Sequence, residues 1–306
     1  MVHNRIGVDP MRALVTGGDG FVGQHLVRHL QADTIDCTVF DARRGDDIRD
    51  YEQVRAAVER VEPDYVFHLA AQADVPEGAL DPRRAFSVNV TGTLNLLEAL
   101  RNTNCHARVH LAGSAAEYGE IDVNTLVTEE MPAFPVEPYG VSKLAATHLG
   151  LVYAQRHSMN IVVTRAYNHT GPGRPSRYVD AAFARRIVDV ERGRAEAVYH
   201  GDLSAVRNFT DVRDVVRAYR LVVDTEPGVY NVCSGQNVAV RALLDMLVGN
   251  ARVPVLTKLN PSLSGPARRD GFRAPSGVKL EAATGWIPSI SMDQTMRDLL
   301  DWWRAQ

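Results

Sequence analysis

The 306-residue sequence is poor in cysteine: only Cys37, Cys105 and Cys233 are present, and none belongs to a CxxC pair. Such scattered thiols support neither a disulfide framework nor a zinc site, so we expect no metal and a reducing cytoplasm. The sequence has no run of about 18 apolar residues, which excludes a transmembrane helix. The start, MVHNRIGVDP, lacks the apolar centre of a signal peptide, and we expect a short polar leader before Met11.

The chain also lacks an excess of positive charge. Its formal net charge is -3 at pH 7, so no basic patch indicates nucleic-acid binding. Apolar residues make up 45% and charged residues 23% of the chain, which is typical of a globular protein with a sizeable core. The length allows one large domain or two closely joined ones. We therefore expect neither a nucleic-acid partner nor a membrane partner.

Strand-like and helix-like segments alternate through the first half of the chain. Short apolar runs occur at residues 13–15 and 65–69, and helical spacing occurs at 21–31 and 139–157. This alternation predicts βαβ units and a Rossmann-type, doubly wound parallel α/β sheet. After Thr164 the alternation ends, and the remainder predicts a smaller α/β substrate-binding cap.

Three other segments give more specific structural predictions. Residues 85–102 predict one long helix, because their apolar side chains recur at helical spacing. The segment NHTGPGRPS at residues 168–176 predicts a turn-rich loop. Residues 260–277, rich in Pro, Gly, Ser and Arg, predict an ordered loop over a site.

The segment TGGDGFVG at residues 16–23 joins the first predicted strand to the first predicted helix. Its three glycines permit a tight turn, let the backbone approach a pyrophosphate, and let the helix pack on the sheet. The helix N-terminus offers N–H groups to the phosphates. An ordinary glycine-rich turn is the alternative, but the strand–turn–helix context favours a dinucleotide site. The predicted cofactor contacts here are Gly17, Gly20, Phe21 and Val22.

Asp41 ends the second predicted strand, 24 residues after Gly17. A carboxylate at this position accepts hydrogen bonds from the hydroxyls of the adenine ribose, which favours NAD(H). Arg43 and Arg44 follow it, and either could reach the 2′-phosphate of NADP(H), although exposed arginines are often only solvated. We therefore expect NAD(H) and keep NADP(H) as the alternative.

The segment PYGVSK at residues 138–143 places Tyr139 and Lys143 four residues apart, on one face of a predicted helix. An ammonium group near a phenol favours the phenolate and lowers the tyrosine pKa from about 10. Tyr139 is therefore a candidate general acid or base for a carbonyl/alcohol pair. Ser114, at the end of the preceding strand in GSAAEYG, is placed to reach the same substrate oxygen. The alternative for Ser114 is a serine that caps a turn.

At these residues the sequence resembles the extended short-chain dehydrogenase/reductase family, in the branch that acts on nucleotide sugars. The resemblance covers nearly the whole chain from Met11. It is most similar to the group of GDP-4-keto-6-deoxy-D-mannose reductases and GDP-mannose 4,6-dehydratases. The segments that carry it are TGGDGFVG, HLAA at 68–71, SVNVTGT, PYGVSK, YNHTGPG at 167–173, VRNFTDVRD at 206–214, YNVCSGQ at 230–236 and TGW at 284–286.

The resemblance implies a NAD(P)-binding domain over residues 11–166 plus about 208–232, and a nucleotide-sugar-binding domain over about 167–207 and 233–306. It implies a nucleotide-sugar substrate, with a GDP-sugar favoured, and a homodimer formed through helices at about 85–102 and 139–157. Lys143 would also contact the nicotinamide ribose. The further cofactor contacts that it implies are Arg43, Asp47, Ile48, Leu69, Ala70, Ala71, Asn89, Tyr167 and His169. The implied substrate contacts are Ser114, Asn168, Tyr178, Val179, Arg185 and Arg207.

Two departures from the family pattern concern the sugar nucleotide. Arg174 stands where a glutamine is common and is expected to add a phosphate or base contact. Gly265 to Arg269, GPARR, replace an Arg-Pro-x-Glu stretch that helps to bind the nucleotide. The sequence therefore leaves the identity of the base open.

Ala116 is the departure that bears on the reaction. The resemblance places a catalytic glutamate of the dehydratases at this position, and alanine cannot exchange a proton. Glu117 follows it, and we expect its side chain to point elsewhere. We therefore predict NAD(P)H-dependent reduction of the C4 ketone of an NDP-4-keto-6-deoxyhexose, with Tyr139 as the proton donor. The alternatives are a 4-epimerase with retained NAD, a 4,6-dehydratase, and a nucleotide-binding regulator without turnover.

Overall fold

The computed structural model describes residues 10–73, 80–121, 125–263 and 275–306. These residues form two compact units. The first unit runs as far as Ala116 and also includes Glu137–Thr164 and Tyr219–Val229; the second consists of Glu117–Val136, Arg165–Ala218 and Tyr230–Gln306. The predicted assignment of cofactor and substrate binding to separate domains stays a prediction.

The larger sheet contains six strands in the order β2–β1–β3–β4–β5–β9. The neighbouring pairs from β2 through to β5 are all parallel, which confirms the predicted Rossmann-type, doubly wound α/β fold. The strands of the described chain are β1 (Arg12–Thr16), β2 (Asp36–Phe40), β3 (Tyr65–His68), β4 (Arg108–Ala112), β5 (Ile161–Ala166), β6 (Asn168–Thr170), β7 (Val198–His200), β8 (Val206–Asp211), β9 (Gly228–Val232), β10 (Asn237–Ala239) and β11 (Thr257–Leu259).

Helices connect the strands, as the alternating pattern predicted. The predicted single helix over residues 85–102 is interrupted by a π-helical turn at Ser87–Thr91, which separates the helix Pro82–Phe86 from the helix Gly92–Asn102. Asn89, in this turn, is only 1% exposed. The helices are α1 (Phe21–Ala32), α2 (Tyr51–Val61), α3 (Pro82–Phe86), α4 (Gly92–Asn102), α5 (Pro138–His157), α6 (Val179–Glu191), α7 (Val212–Val222), α8 (Val240–Gly249), α9 (Val278–Thr284) and α10 (Met292–Arg304). None of the helices in the described ranges is long and apolar enough to cross a membrane.

The core of the first unit is centred on the sheet. Leu14, Val66, Val109 and Ile161, one from each of four adjacent strands, are at most 1% exposed. Parallel strands buried on both faces have such nearly continuous apolar sequences. Local signals set the helix ends: the Asp50 carboxylate accepts hydrogen bonds from Glu52 N and Gln53 N at the start of α2, and proline occupies the first turn of α5.

The second unit has its own core, in which the packed helices α6, α8 and α10 bury residues such as Phe183, Leu243 and Leu299. Its three-stranded sheet has the order β10–β8–β6. The segment predicted as a turn-rich loop from residue 168 begins instead with strand β6, because Asn168–Thr170 pairs in parallel with β8. Of the loop predicted at 260–277, residues 264–274 lie outside the described residues, including the GPARR stretch.

Candidate active site

In the glycine segment after β1, a side chain on Gly17 or on Gly23 would collide with neighbouring backbone atoms. Gly17 has φ +72°, and a Cβ atom there would lie 2.7 Å from Ala70 N. A Cβ atom on Gly23 would lie 2.3 Å from Gly17 O, so this glycine lets α1 pack against the turn. Gly20 is the N-cap of α1 and has no side chain to accept from the first turn. The residues present therefore fit a pyrophosphate at the N-terminus of α1.

Asp41 lies at the carboxyl end of β2 and is 8% exposed. Its Oδ2 accepts a hydrogen bond from Asp19 N at 3.0 Å, and its Oδ1 accepts one from Arg43 N at 2.9 Å. A carboxylate has about four acceptor positions, so Asp41 retains capacity for ribose hydroxyls. The structure thus joins the predicted ribose acid to the glycine turn through Asp19, a residue that the sequence analysis did not single out.

The other predicted cofactor residues of the first unit lie after β3, in the segment before α2 and on the π-helical turn Ser87–Thr91. Leu69 N donates to Thr16 O at 3.0 Å, and Ala70 N donates to Thr16 Oγ1 at 3.2 Å, which fixes the HLAA segment beside the glycine turn. Asp47 pairs with Arg49 at 2.6 Å, and this hydrogen-bonded pair lowers the Asp47 pKa. Ile48 is only 6% exposed and belongs to the core of the unit. Their contacts with a cofactor stay predictions.

Tyr139 and Lys143 lie one turn apart at the start of α5 and are 8% and 7% exposed. Ser114 follows β4 in the same unit, and its Oγ accepts a hydrogen bond from Ala116 N at 3.1 Å. The serine therefore does cap the short turn Ala115–Tyr118, which was the alternative to a catalytic role. The two roles are compatible, because a hydroxyl that accepts a hydrogen bond still has a proton to donate.

A chain of buried hydrogen bonds connects the glycine turn to the core of the first unit. Thr16 Oγ1 lies 2.7 Å from His68 Nδ1, and His68 Nε2 lies 2.9 Å from Thr93 Oγ1. Thr93 Oγ1 in turn donates to Asn89 O at 2.6 Å. Burial, with a smaller contribution from the Lys143 charge, lowers the His68 pKa to about 3. His68 is therefore neutral at pH 7 and acts as a hydrogen-bonding link.

The same chain continues from Asn89 to the helix that carries Tyr139. Asn89 Oδ1 accepts from Gln72 N at 2.8 Å, and its Nδ2 donates to Ser142 Oγ at 2.9 Å. Ser142 Oγ then donates to Tyr139 O at 2.7 Å. These contacts link Asn89, on the π-helical turn, to the helix that carries Tyr139, and π-helical turns are frequent at functional sites. No spacing in the sequence indicates this chain, because it joins five separate elements: β1, β3, the π-helical turn, α4 and α5.

Glu117 lies in the second unit and is completely buried. Its Oε2 accepts a hydrogen bond from Arg165 Nε at 2.8 Å, and the Arg165 guanidinium lies 4.5 Å from the centre of the Tyr118 ring. The expectation that Glu117 points away from a catalytic role is consistent with this pairing, because its carboxylate neutralises a buried cation.

The predicted substrate residues all lie in the second unit, apart from Ser114. Asn168 Nδ2 donates to Asn208 O at 3.2 Å between β6 and β8, and Arg207 lies on β8. Val179 begins α6 and is 41% exposed, and Arg185 Nη1 donates to Ser176 Oγ at 3.4 Å. Two residues predicted to contact the cofactor also lie in this unit: Tyr167, which is 4% exposed, and His169, whose Nδ1 donates to Tyr167 O at 3.0 Å.

Two arginines lie against the ring of Tyr178. The Arg174 guanidinium lies 4.0 Å and the Arg177 guanidinium 4.9 Å from the centre of its ring. Arg174 is 8% exposed, and its Nε donates to Asp180 Oδ1 at 3.2 Å. The charge of Arg174 is thus already compensated inside the unit. This geometry favours a supporting role beneath Tyr178 over the expected phosphate contact.

These features together define a class of protein. A parallel sheet with a glycine cradle at α1, an acid at the end of β2 and a buried tyrosine–lysine pair is the arrangement of a Rossmann-type enzyme that uses a nicotinamide dinucleotide. In the ranges that the structure covers, no cluster of three or more His, Cys, Asp or Glu side chains is arranged to hold a metal ion.

Comparison with known proteins supports the same class. Residues 13–233 match the NAD dependent epimerase/dehydratase family, and the chain belongs to that family. The resemblance to the extended short-chain dehydrogenase/reductases is thereby confirmed, as is a pyridine-nucleotide cofactor.

Two relatives, one of them matched both by sequence and by a solved structure, extend the match over nearly the full chain. The GDP-6-deoxy-D-mannose reductase of Pseudomonas aeruginosa is 36% identical, over 96% of this chain and 98% of its own length. A solved structure of RMD from P. aeruginosa complexed with NADPH has a TM-score of 0.89 and 34% identity, covering 96% of this chain and 99% of that one. The UDP-glucose 4-epimerase of Thermus thermophilus in complex with NAD has a TM-score of 0.84 and 32% identity, covering 96% and 99%.

Proposed function

We propose that this protein reduces the C4 ketone of an NDP-4-keto-6-deoxyhexose with NAD(P)H. The proposal rests on which side chains the GSAAEYG segment contains and on how its one acid is paired. Position 116 is alanine, and the neighbouring acid, Glu117, is buried in an ion pair with Arg165. No carboxylate of this segment is therefore available to remove the C5 proton in a dehydration. Ketone reduction needs only a hydride and one proton, and a buried tyrosine–lysine pair suits the proton transfer.

The chemistry assigned to the chain is proton transfer and charge stabilisation. The reduced dinucleotide, when bound, supplies the hydride to C4. Tyr139 donates its phenolic proton to the forming alkoxide, and Ser114 hydrogen-bonds the same oxygen. The ammonium of Lys143 stabilises the resulting phenolate, because it lies one helical turn from Tyr139 in a buried environment. The ketone gains a hydride and a proton and becomes the alcohol.

We propose that the substrate is a GDP-sugar. The P. aeruginosa relative, 36% identical, is named a GDP-6-deoxy-D-mannose reductase. In this chain Arg207 would hold the diphosphate, since a guanidinium suits phosphate oxygens. Tyr178, Val179 and Arg185 at the start of α6 would hold the nucleoside, and Asn168 would support the phosphate region. The first unit would then bind the dinucleotide and the second the sugar nucleotide.

A homodimer formed through α4 and α5 is part of the same proposal. Leu94 on α4 is 36% exposed, and Val141 and Val152 on α5 are 40% and 44% exposed. Apolar side chains exposed on two neighbouring helices are suited to burial against a second copy. Sedimentation velocity measures the mass directly, and Val152→Glu is expected to shift a dimer towards monomer. The cytoplasmic location stays a prediction.

The experiment that tests the function follows oxidation of the reduced dinucleotide at 340 nm. Purified protein is given NADH or NADPH with GDP-4-keto-6-deoxymannose, its dTDP-hexose counterpart or no sugar. We expect sugar-dependent oxidation, fastest with the GDP-sugar. A lack of oxidation with every 4-keto sugar would refute the proposal. Faster turnover with the dTDP-sugar would contradict only the choice of nucleotide.

A 4-epimerase is the second candidate, favoured by the TM-score of 0.84 to an epimerase structure that holds NAD. Co-purified NAD⁺ together with conversion of an NDP-sugar into its C4 epimer, and no net redox turnover, would support it. A 4,6-dehydratase is the third candidate and is disfavoured by Ala116. Rapid elimination of water from GDP-mannose by the wild type would support the dehydratase. In the reductase proposal, ketone reduction proceeds without the Ala116→Glu substitution.

A further inference from the structure

Asp19, in the middle of the glycine turn, is paired with the two arginines that follow β2. Its carboxylate accepts two hydrogen bonds from Arg44, at 2.7 Å from Nε and 2.8 Å from Nη2. Its backbone oxygen accepts from Arg43 Nη1. The hydrogen bond from Arg44 lowers the Asp19 pKa, so the carboxylate is charged at neutral pH. Such a bidentate contact fixes the orientation of the guanidinium as well as its position.

Asp19 also touches the residue expected to bind the adenine ribose. Its backbone N–H donates to Asp41 Oδ2 at 3.0 Å. Asp41 N in turn donates to Asp46 Oδ2 at 3.0 Å. Three carboxylates therefore lie near the arginine pair, and all three raise the Arg44 pKa. With two guanidinium groups against three carboxylates, this cluster has a net charge of -1.

The charge and pairing of this cluster distinguish two kinds of cofactor. A 2′-phosphate carries a charge of about -1.5 to -2 at pH 7, and it needs a cation with donors to spare. Two N–H donors of the Arg44 guanidinium are already hydrogen-bonded to the Asp19 carboxylate. Asp19 would also repel the phosphate. The neutral 2′-hydroxyl of NAD(H) meets neither obstacle, because it needs only an acceptor such as Asp41.

We propose that Asp19 determines the choice between the two dinucleotides by occupying Arg44, so that the chain prefers NADH to NADPH. This inference rests on the proposed dinucleotide dependence and goes beyond it by naming the residue that sets the preference. Asp19 and Arg44 are 25% and 52% exposed at their side chains, so the pair is open to solvent and competition from a phosphate is physically accessible. Exposed ion pairs contribute little free energy, so neutralising the Asp19 carboxylate is enough to change the relative affinity for NADH and NADPH.

The test measures binding without turnover. Dissociation constants of NADH and NADPH are obtained from nicotinamide fluorescence for the wild type, Asp19→Asn and Asp19→Ser. We expect the wild type to bind NADH more tightly, and each variant to gain affinity for NADPH relative to NADH by about threefold to tenfold. The gain should shrink as salt is raised, because it is electrostatic and near the surface. Glu52→Gln, which breaks an exposed pair with Arg55 on α2, serves as the matched control and should leave the ratio unchanged.

The double variant Asp19→Asn/Arg44→Ala separates the proposed cause from simple repulsion. If Asp19 acts mainly by occupying Arg44, the gain in NADPH affinity becomes smaller when Arg44 is removed, and only the part due to repulsion by Asp19 is left. An unchanged ratio in both Asp19 variants, a gain that is undiminished by the loss of Arg44, or a wild type that prefers NADPH would overturn the inference. Failure of the wild type to bind either dinucleotide would instead overturn the proposed function itself.

Discussion

The carboxylate of Glu117 and the guanidinium of Arg165 form an ion pair of 2.8 Å in which the side chains are 0% and 7% exposed. The two residues are 48 positions apart in the chain. The pair accounts for the presence of an acid in GSAAEYG without assigning it a step in the reaction. In the proposed function, Ala116 is then the position of that segment that separates ketone reduction from dehydration.

Glu117→Gln is expected to destabilise the protein rather than to inactivate its folded form. Removing one charge leaves Arg165 buried without a counter-ion, and such a loss costs about 3–5 kcal/mol. Urea unfolding measures the free energy, and activity is measured well below the unfolding transition. Glu52→Gln, at an exposed pair, should change little. A variant of native stability whose kcat is lost would show that Glu117 takes part in catalysis.

Tyr139→Phe is expected to lower kcat by about 10²–10⁴-fold, because the proton donor is lost. Dinucleotide binding should remain within a few-fold of the wild type, since the ring and the helix are retained. Steady-state kinetics and nicotinamide fluorescence separate the two effects. The control is Tyr153→Phe, at a later position on the same helix as Tyr139. It removes a hydroxyl that donates a hydrogen bond to Glu98. Full activity in Tyr139→Phe would exclude this tyrosine as the proton donor.

Asn89→Ala tests the buried chain that ends at Tyr139 O. The substitution removes the hydrogen bonds that Asn89 makes with Gln72 N and Ser142 Oγ, and the loss of each is expected to lower the free energy of unfolding by about 0.5–1.5 kcal/mol. Because Ser142 holds the first turn of α5, we also expect kcat to fall more than the substrate KM rises.

The control for Asn89→Ala is Asn102→Ala, on the exposed end of α4, where the amide bonds only the Tyr51 hydroxyl. It should alter neither stability nor kcat appreciably. Equal kinetic parameters in Asn89→Ala and wild type, measured on folded protein, would remove the positioning role from Asn89.

His110 makes stability depend on pH. It is fully buried, and burial lowers its pKa from 6.5 to about 3, with smaller contributions from the charges of His68 and Lys143. Below pH 6.5 the unfolded chain binds a proton that the folded chain does not, so stability falls as pH falls from about 6.5 towards 3. The slope is at most about 1.4 kcal/mol per pH unit for each such histidine, and His68 adds a similar contribution.

His110→Phe keeps an aromatic ring against Tyr219, whose ring centre lies 4.2 Å away, and removes the titrating group. Urea unfolding at pH 7 and pH 5 should show a smaller loss of stability on acidification than in the wild type. His106→Gln, at an exposed position, is the control. The same acid-induced loss in His110→Phe and wild type would show that His110 does not cause it.

The residues of the candidate dinucleotide site could be selected from local sequence. The segments TGGDGFVG and PYGVSK, and Asp41 at a strand end, are each contained within one strand–turn–helix unit. Their geometry follows from the short-range rules of glycine turns and helix spacing. The fold class followed for the same reason, since periodicity along the chain reflects burial against the sheet.

Only the tertiary structure decided which polar groups are committed to one another. Spacing in the sequence does not predict three of the ion pairs: Glu117 with Arg165, Arg174 with Asp180, and Asp19 with Arg44. Two of these pairs are buried, where an unpaired charge is too costly to persist, so the fold had to bring a partner to each. Strand β6 likewise exists because β8 lies beside Asn168–Thr170 and supplies its backbone partners. The sequence by itself determined the fold class and the candidate catalytic groups, whereas long-range packing determined which charges are already paired.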